Sequence, residues 1–289
     1  MTRISKNIHP DFQDEFFLNL DRILIPVGGN QFECMGLEVA FYIAHEYGSK
    51  LDLLHIGSDI GTSLDGYLNK LAKYDIEHNL RISRHLNVSK AIIEYWKKHK
   101  HNLVVMSGRR RPTIIDKMIV KSISTSVIPH IHTEVLQIFP PSIQKISSKL
   151  KKIAVLLPYS SRDPFLLRWA SAIAAPQKGA KIKVYHTAQV PETLPLEGAI
   201  NEKIIKKEER TFREYIQTYA DIFGQLIKPK FILGHKALSS LEFISGIDEP
   251  DLVIIGKSKR NWWQKLSKPL SSKLRDKLLS TGVCIHHMM

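Results

Sequence analysis

The sequence predicts an α/β protein built as two tandem, doubly wound, parallel five-stranded sheets of the Rossmann-like type. Three observations lead there. Short β-branched apolar runs alternate with amphipathic stretches along the whole chain, the pattern of a parallel sheet covered by helices. The same ordered series of segments occurs twice, as an internal repeat. A Pro-Pro step and a Ser- and Lys-rich stretch, PPSIQKISSKLK, separate the two copies.

Each element can be justified in turn. RILIPV (22–27) and KIAVLLP (152–158) are apolar runs ending near a proline, as a buried first strand does. An amphipathic stretch follows each: GLEVAFYIAHEYGS from Gly36 and FLLRWASAIAAPQKGA from Phe165. The second strands are KLDLLHIG (50–57) and KIKVYHTA (181–188). Pro26 and Pro158 stand 132 residues apart, and His55 and His186 stand 131 apart. Third strands follow in HNLRISRHL and KPKFILG, then NLVVMSGRRR (102–111) answers DLVIIGKSKR (251–260) at an offset of 149. The shift comes from a longer middle segment in the second copy. It reads as a charged amphipathic helix with Ile204, Ile205, Phe212, Ile216, Tyr219 and Phe223 on one face. TEVLQIF (133–139) and TGVCIHH (281–287) close the copies. The domains expected are an N-terminal extension over 1–19, a first domain over 20–139, a linker over 140–151 and a second domain over 152–289.

Composition narrows the function classes. With 43% hydrophobic and 24% charged residues, the 289-residue chain is that of a folded protein. It has no apolar run near the roughly 18–20 residues that span a membrane. The N-terminal residues lack the apolar core of a secretory signal. Cys34 and Cys284 cannot form a disulfide framework, so a reducing cytoplasm is the expected location. Forty-two Lys+Arg against 28 Asp+Glu give a net charge of +14, which favours anionic partners.

In an open parallel sheet, ligands sit beyond the carboxyl ends of the strands where strand order reverses. The loops after the first and fourth strands are then the candidate sites. In the first copy these carry Pro26, Val27, Gly28, Gly29 and Asn30, and Gly108, Arg109, Arg110 and Arg111. In the second copy they carry Pro158, Tyr159 and Ser160, and Gly256, Lys257, Ser258, Lys259 and Arg260.

At these residues the chain resembles the universal stress protein family in its tandem two-domain form. The resemblance rests on the ILIPV start, the LLH second strand, the LVVM and LVII fourth strands, the VLQI end and His130 before it. It covers nearly the whole chain and implies an adenine nucleotide alpha hydrolase-like fold. It also implies pairing through the last strands, so Val135–Phe139 and Val283–His287 would meet inside one chain as a pseudo-dimer. The family's nucleotide-binding branch resembles a pattern with an aspartate after the first strand and Gly-x-x-Gly, nine residues, then Gly-Ser/Thr after the fourth. Glycines there let backbone N–H groups close on phosphate at a helix start. This sequence departs from it. Gly28 stands at the aspartate position, with Tyr159 or Ser160 there in the second copy. Gly108 matches the first glycine, but Arg111 and Lys121 take the next two, with Ser122 kept. Gly256 is kept in the second copy, Lys259 and Pro269 take the next two, and Ser271 and Ser272 follow. The resemblance therefore implies the fold without the usual ATP grip.

Two readings of the loops follow. In one, Arg109, Arg110, Arg111 and Lys121, and Lys257, Lys259, Arg260 and Lys268, hold phosphate by charge-assisted hydrogen bonds. In the other they face water and bind nothing tightly. His130-x-His132 and His286-His287 lack further metal ligands at matching spacing, and Trp262-Trp263 reads as packing rather than base stacking. No triad, Gly-x-Ser-x-Gly or Walker loop appears. The expected function is a non-catalytic stress-response or regulatory protein, with ATP or another adenine nucleotide as the candidate ligand and no certain cofactor. The expected partners are a nucleotide or other anionic small molecule, a protein, and a second copy of the chain or its own other half; nucleic acid is not among them. Slow ATP hydrolysis or phosphotransfer, drawing on Asp116 and Asp163, and salt-sensitive nucleic-acid binding are the alternatives.

Overall fold

The structure is a computed structural model that describes residues 18, 20–28, 34–58, 64–107, 123–139, 150–157, 163–189, 199–223, 227–234, 248–256 and 281–286. These fall into two compact units, the first built on Leu18–Pro140 and the second on Pro141–Gly282.

In the first unit, strand and helix alternate as β1 (Arg22–Val27), α1 (Cys34–Tyr47), β2 (Lys50–Ile56), α2 (Asp65–Lys73), β3 (His78–Ser83), α3 (Val88–His99), β4 (Leu103–Ser107), α4 (Ile123–Val127) and β5 (Glu134–Phe139). All four strand pairings are parallel, giving the order β3-β2-β1-β4-β5. The chain winds outward from β1 in one direction, then returns past it to β4. The order therefore reverses between β1 and β4, the position where such sheets build their sites.

Strand and helix signals are physical. β1 and β4 are buried nearly throughout, because helices cover both faces of a central parallel strand. Helix α3 starts at Asn87, whose side chain accepts from the Lys90 N–H. It ends at Lys100 in the left-handed conformation, after Lys97 and Lys98 have placed cations at the negative end of the helix. Its apolar side meets the sheet: Ile92 packs with Leu24, Leu54, Val104, Met106, Val127, Ile128, Ile131 and Val135.

The second unit repeats the scheme with β6 (Lys152–Leu156), α5 (Asp163–Ala174), β7 (Lys181–Gln189), α6 (Ala199–Phe223), β8 (Ile227–Gly234) and β9 (Leu252–Gly256). Its described pairings are again parallel, in the order β8-β7-β6-β9. Strand β10 (Thr281–His286) follows where the repeat expects the last strand; the division between units falls within it, after Gly282. Helix α6 runs for 25 residues. It buries Phe212, Ile216 and Phe223 as its sequence spacing predicts, while the pairs Glu202–Lys206, Glu209–Arg213 and Arg210–Glu214 line its solvent side. The doubly wound parallel fold expected from the repeat is the fold observed.

Candidate functional site

The strand-end site starts from β1 and β2. His55, near the end of β2, is buried, and its Nδ1 lies 3.0 Å from the Val27 carbonyl oxygen at the end of β1. A carbonyl can only accept, so Nδ1 carries the proton and donates. In the uncharged ring, Nε2 is then an acceptor, and among the described residues it has no hydrogen-bond partner. Gly57 lies against it: a Cβ there would come 2.7 Å from Nε2. The glycine lets the backbone pass over the imidazole edge while its N–H bonds to the Ser83 carbonyl oxygen.

The second unit repeats this lock. His186 Nδ1 lies 2.9 Å from the Leu157 carbonyl oxygen, just after β6. Burial pushes this imidazole's pKa down, against the opposing pull of the Leu157 bond. Phe212 and Phe231 flank the ring at 5.6 and 5.9 Å between centroids. Sequence comparison of the copies aligns the two histidines, but only the fold shows that each tethers the second strand to the exit of the first.

The switch-point contact also recurs, with sizes exchanged. In the first unit, Gly36 in α1 faces Ser107 at the end of β4; a Cβ on Gly36 would come 2.3 Å from Ser107 Oγ. In the second unit, Leu166 in α5 and Gly256 at the end of β9 hold the equivalent positions; a Cβ on Gly256 would come 3.0 Å from the leucine Cδ1. A small helix residue with a hydroxyl at the strand end has become a large helix residue with a bare strand end.

The expected ligand residues divide sharply. Val27 is buried, Pro26 half-buried and Gly28 exposed at the end of β1, and Gly256 ends β9. Gly29, Asn30, Gly108, Arg109, Arg110, Arg111, Lys121 and Ser122 lie outside the described residues. So do Pro158, Tyr159, Ser160, Lys257, Ser258, Lys259, Arg260, Lys268, Ser271 and Ser272, together with Asp116, Trp262 and Trp263. Asp163 is fully buried at the start of α5 and accepts from the Tyr215 hydroxyl at 3.3 Å. Burial, then the Asp163 charge, raises the Tyr215 pKa. The carboxylate is thus engaged with a helix start and a phenol. His130 and His132 are both exposed. Among the described residues no group of three or more His, Cys, Asp or Glu is placed to hold a metal ion, and no helix is long and apolar enough to cross a membrane.

A second polar cluster, unread in the sequence, lies at the opposite rim of the first sheet. Asp52 on β2 is fully buried and accepts from His101 Nε2 at 2.7 Å, Arg22 Nη2 at 2.8 Å and Asn79 Nδ2 at 3.0 Å. Burial would raise this carboxyl's pKa; the His101 and Asn79 hydrogen bonds and the Arg22 charge outweigh it and hold the value at about 2. Tyr95 stacks on His101 at 5.6 Å. An aspartate inside the apolar run KLDLLHIG was the available signal.

Comparison with known proteins follows this geometry. No model of a known family matches the sequence, and no curated protein does. Solved structures do match. A universal stress protein from Archaeoglobus fulgidus superposes with a TM-score of 0.63 over 93% of this chain and 97% of its own, at 11% identity. The fold is that of a tandem universal stress protein. A second universal stress protein structure, from Pseudomonas aeruginosa UCBPP-PA14, gives 0.58 over 92% and 93% of the two chains at 16% identity. The universal stress protein fold of this chain is also similar to the cytoplasmic domain of a prokaryotic cation chloride cotransporter, at 0.63, 92%, 95% and 12% identity. At such identities the likeness is one of fold.

Proposed function

We propose that this protein is a non-catalytic binding or regulatory protein of the universal stress type, which takes an anionic ligand, an adenine nucleotide foremost, at the strand-end loops of its first unit. The observation that carries the reading is the switch point between the paired strands β1 and β4, where the His55 tether to the Val27 carbonyl fixes the exit of β1; in the sequence, β4 is followed directly by Gly108, Arg109, Arg110 and Arg111. Cationic side chains there do what glycine amides do elsewhere in such folds: they offer charge-assisted donors to phosphate. Asp163 speaks against a hydrolytic role, because its carboxylate is buried against Tyr215. The same fold serves a universal stress protein and a transporter's cytoplasmic domain, so it supports binding without dictating a reaction.

The test is thermal denaturation with ATP, ADP, AMP and inorganic phosphate at two salt concentrations, because a ligand of the native state raises the midpoint by mass action. An upward shift with a nucleotide that vanishes in Arg110→Ala/Arg111→Ala is the expected result. A shift that the double variant keeps, or none with any ligand, would overturn the reading.

A further inference from the structure

The second sheet carries a lysine array far from the strand-end loops. On β6 and β7, Lys152 is the register partner of Lys181; on β7 and β8, Lys183 partners Lys228 and Tyr185 partners Lys230. Side chains alternate between faces along a strand, so these five lysines share one face at the end where the strands begin. Neighbouring strands lie about 4.8 Å apart and alternate residues about 6.7 Å apart. Ammonium groups are thus forced together, an arrangement that is unfavourable without counter-charge. Lys152, Lys181, Lys228 and Lys230 are exposed and Lys183 half-buried.

Among the described residues, the acids nearby do not balance the array. Asp248 is held by Lys183 and the Tyr185 hydroxyl. Asp251 accepts from the backbone N–H groups of Lys151 and Lys152. Glu249 is exposed between them. In the first unit the same positions are Arg22, Lys50, Asp52, Asn79 and Arg81, and there Asp52 neutralises Arg22 while Glu77 pairs with Lys50. The second unit keeps a cation at each position that has one in the first and adds two more, Lys183 for Asp52 and Lys228 for Asn79.

We propose that this lysine face docks the phosphodiester backbone of nucleic acid without regard to base sequence. Its chemistry selects that partner over two others. Membrane surfaces are gripped by apolar side chains beside the cations, but the large exposed apolar residues described, Tyr74, Leu80, Ile82, Leu86 and Ile123, all belong to the first unit. An acidic segment added as a strand would need the edge of β8 that no described strand covers, and Pro229 between Lys228 and Lys230 removes a donor from that strand. Edge protection explains Lys228 and Lys230 but not Lys152, Lys181 and Lys183, which stand on strands paired on both sides. The one ring among these lysines, Tyr185, is fully buried and donates to Asp248, so the face offers contacts to phosphates rather than stacking for bases. The net charge of +14 steers a polyanion towards the chain.

The experiment measures fluorescence anisotropy of a labelled 20-nucleotide single strand with the full chain, from about 50 to 200 mM salt. Each lysine on a phosphate adds about 0.7 to the salt slope for single strands. Replacing Lys152, Lys181, Lys228 and Lys230 by Gln should therefore lower the slope by about 3, a loss of about fiftyfold in salt sensitivity across that range. Replacing Lys90, Lys97, Lys98 and Lys100 in the first unit by Gln removes the same charge and should leave the slope within about 1. Arg at the four second-unit positions should bind as the wild type does, which a folding role for the lysine stems would not predict. Equal loss in both Gln variants, retained binding in the second-unit Gln variant, or lysine-dependent capture of anionic vesicles or polyglutamate without nucleic-acid binding would each overturn the proposal.

Discussion

The rims where the strands begin differ more between the two units than the strand-end geometry does. In the first, a buried carboxylate at Asp52 gathers Arg22, His101 and Asn79 into one network. In the second, the position holds Lys183, and the balancing acid, Asp248, comes from the residues before β9. The strand-end features, by contrast, keep their geometry: a histidine bonded to a first-strand carbonyl, and a helix residue pressed on the end of the fourth strand. A repeated fold therefore preserves contacts that close its core while charge drifts at its edges. Burial sets the energetic difference. Asp52 and His101 are almost wholly enclosed, whereas Lys183 keeps 32% of its side-chain exposure.

That difference predicts unequal costs. Asp52→Ala should destabilise the first unit by about 3 kcal/mol, because it leaves the fully buried His101 imidazole, and the half-buried Arg22 beside it, without their carboxylate. Asp248→Ala should cost about 1 kcal/mol, since water can solvate the half-exposed Lys183. Denaturant unfolding of both variants measures the pair; comparable losses would erase the contrast drawn here. Acid should reveal the same asymmetry. The Asp52 pKa is depressed to about 2 from an ordinary 3.8, so its contribution is complete above about pH 4 and lost as pH falls towards 2. The amount is about 2 kcal/mol, and Asp52→Asn should flatten that part of the stability-against-pH curve.

Exchanging the switch-point sizes sharpens the comparison further. Gly36→Leu drives a side chain into Ser107 and should cost about 1–3 kcal/mol by overpacking. Adding Ser107→Gly reproduces the second unit's pairing and should recover a large part of that loss. A strictly additive double-mutant cycle would mean that the two residues do not share the contact. Smallest of all, His55→Phe and His186→Phe should each cost about 1 kcal/mol, the worth of one hydrogen bond to a carbonyl. A midpoint unchanged in either variant would show that its tether contributes nothing.

The expected elements were legible because their signals are local. Apolar runs such as LVVM and LVII cannot avoid burial on both faces, and the 3.6-residue spacing of Phe212, Ile216 and Phe223 commits α6 to one packing side. The Asp52 network was not legible, because its members come from positions 22, 52, 79 and 101 and meet only when β1, β2 and β3 align in register. The lysine face has the same origin. Lys152, Lys181 and Lys228 look like scattered charges in the sequence, and the parallel register stacks them.

By itself, then, the order of residues determined the repeat, the alternation of strand and helix, and the place where the strand order would reverse, since periodicity and turn chemistry act between near neighbours. Which nitrogen of His55 carries its proton, that Asp52 is an enclosed anion, that Gly36 yields to Ser107 and Gly256 to Leu166, and that five lysines share a face were decided only by tertiary structure. Each depends on distances between groups far apart in the chain, and those distances exist only once the sheet has closed its register.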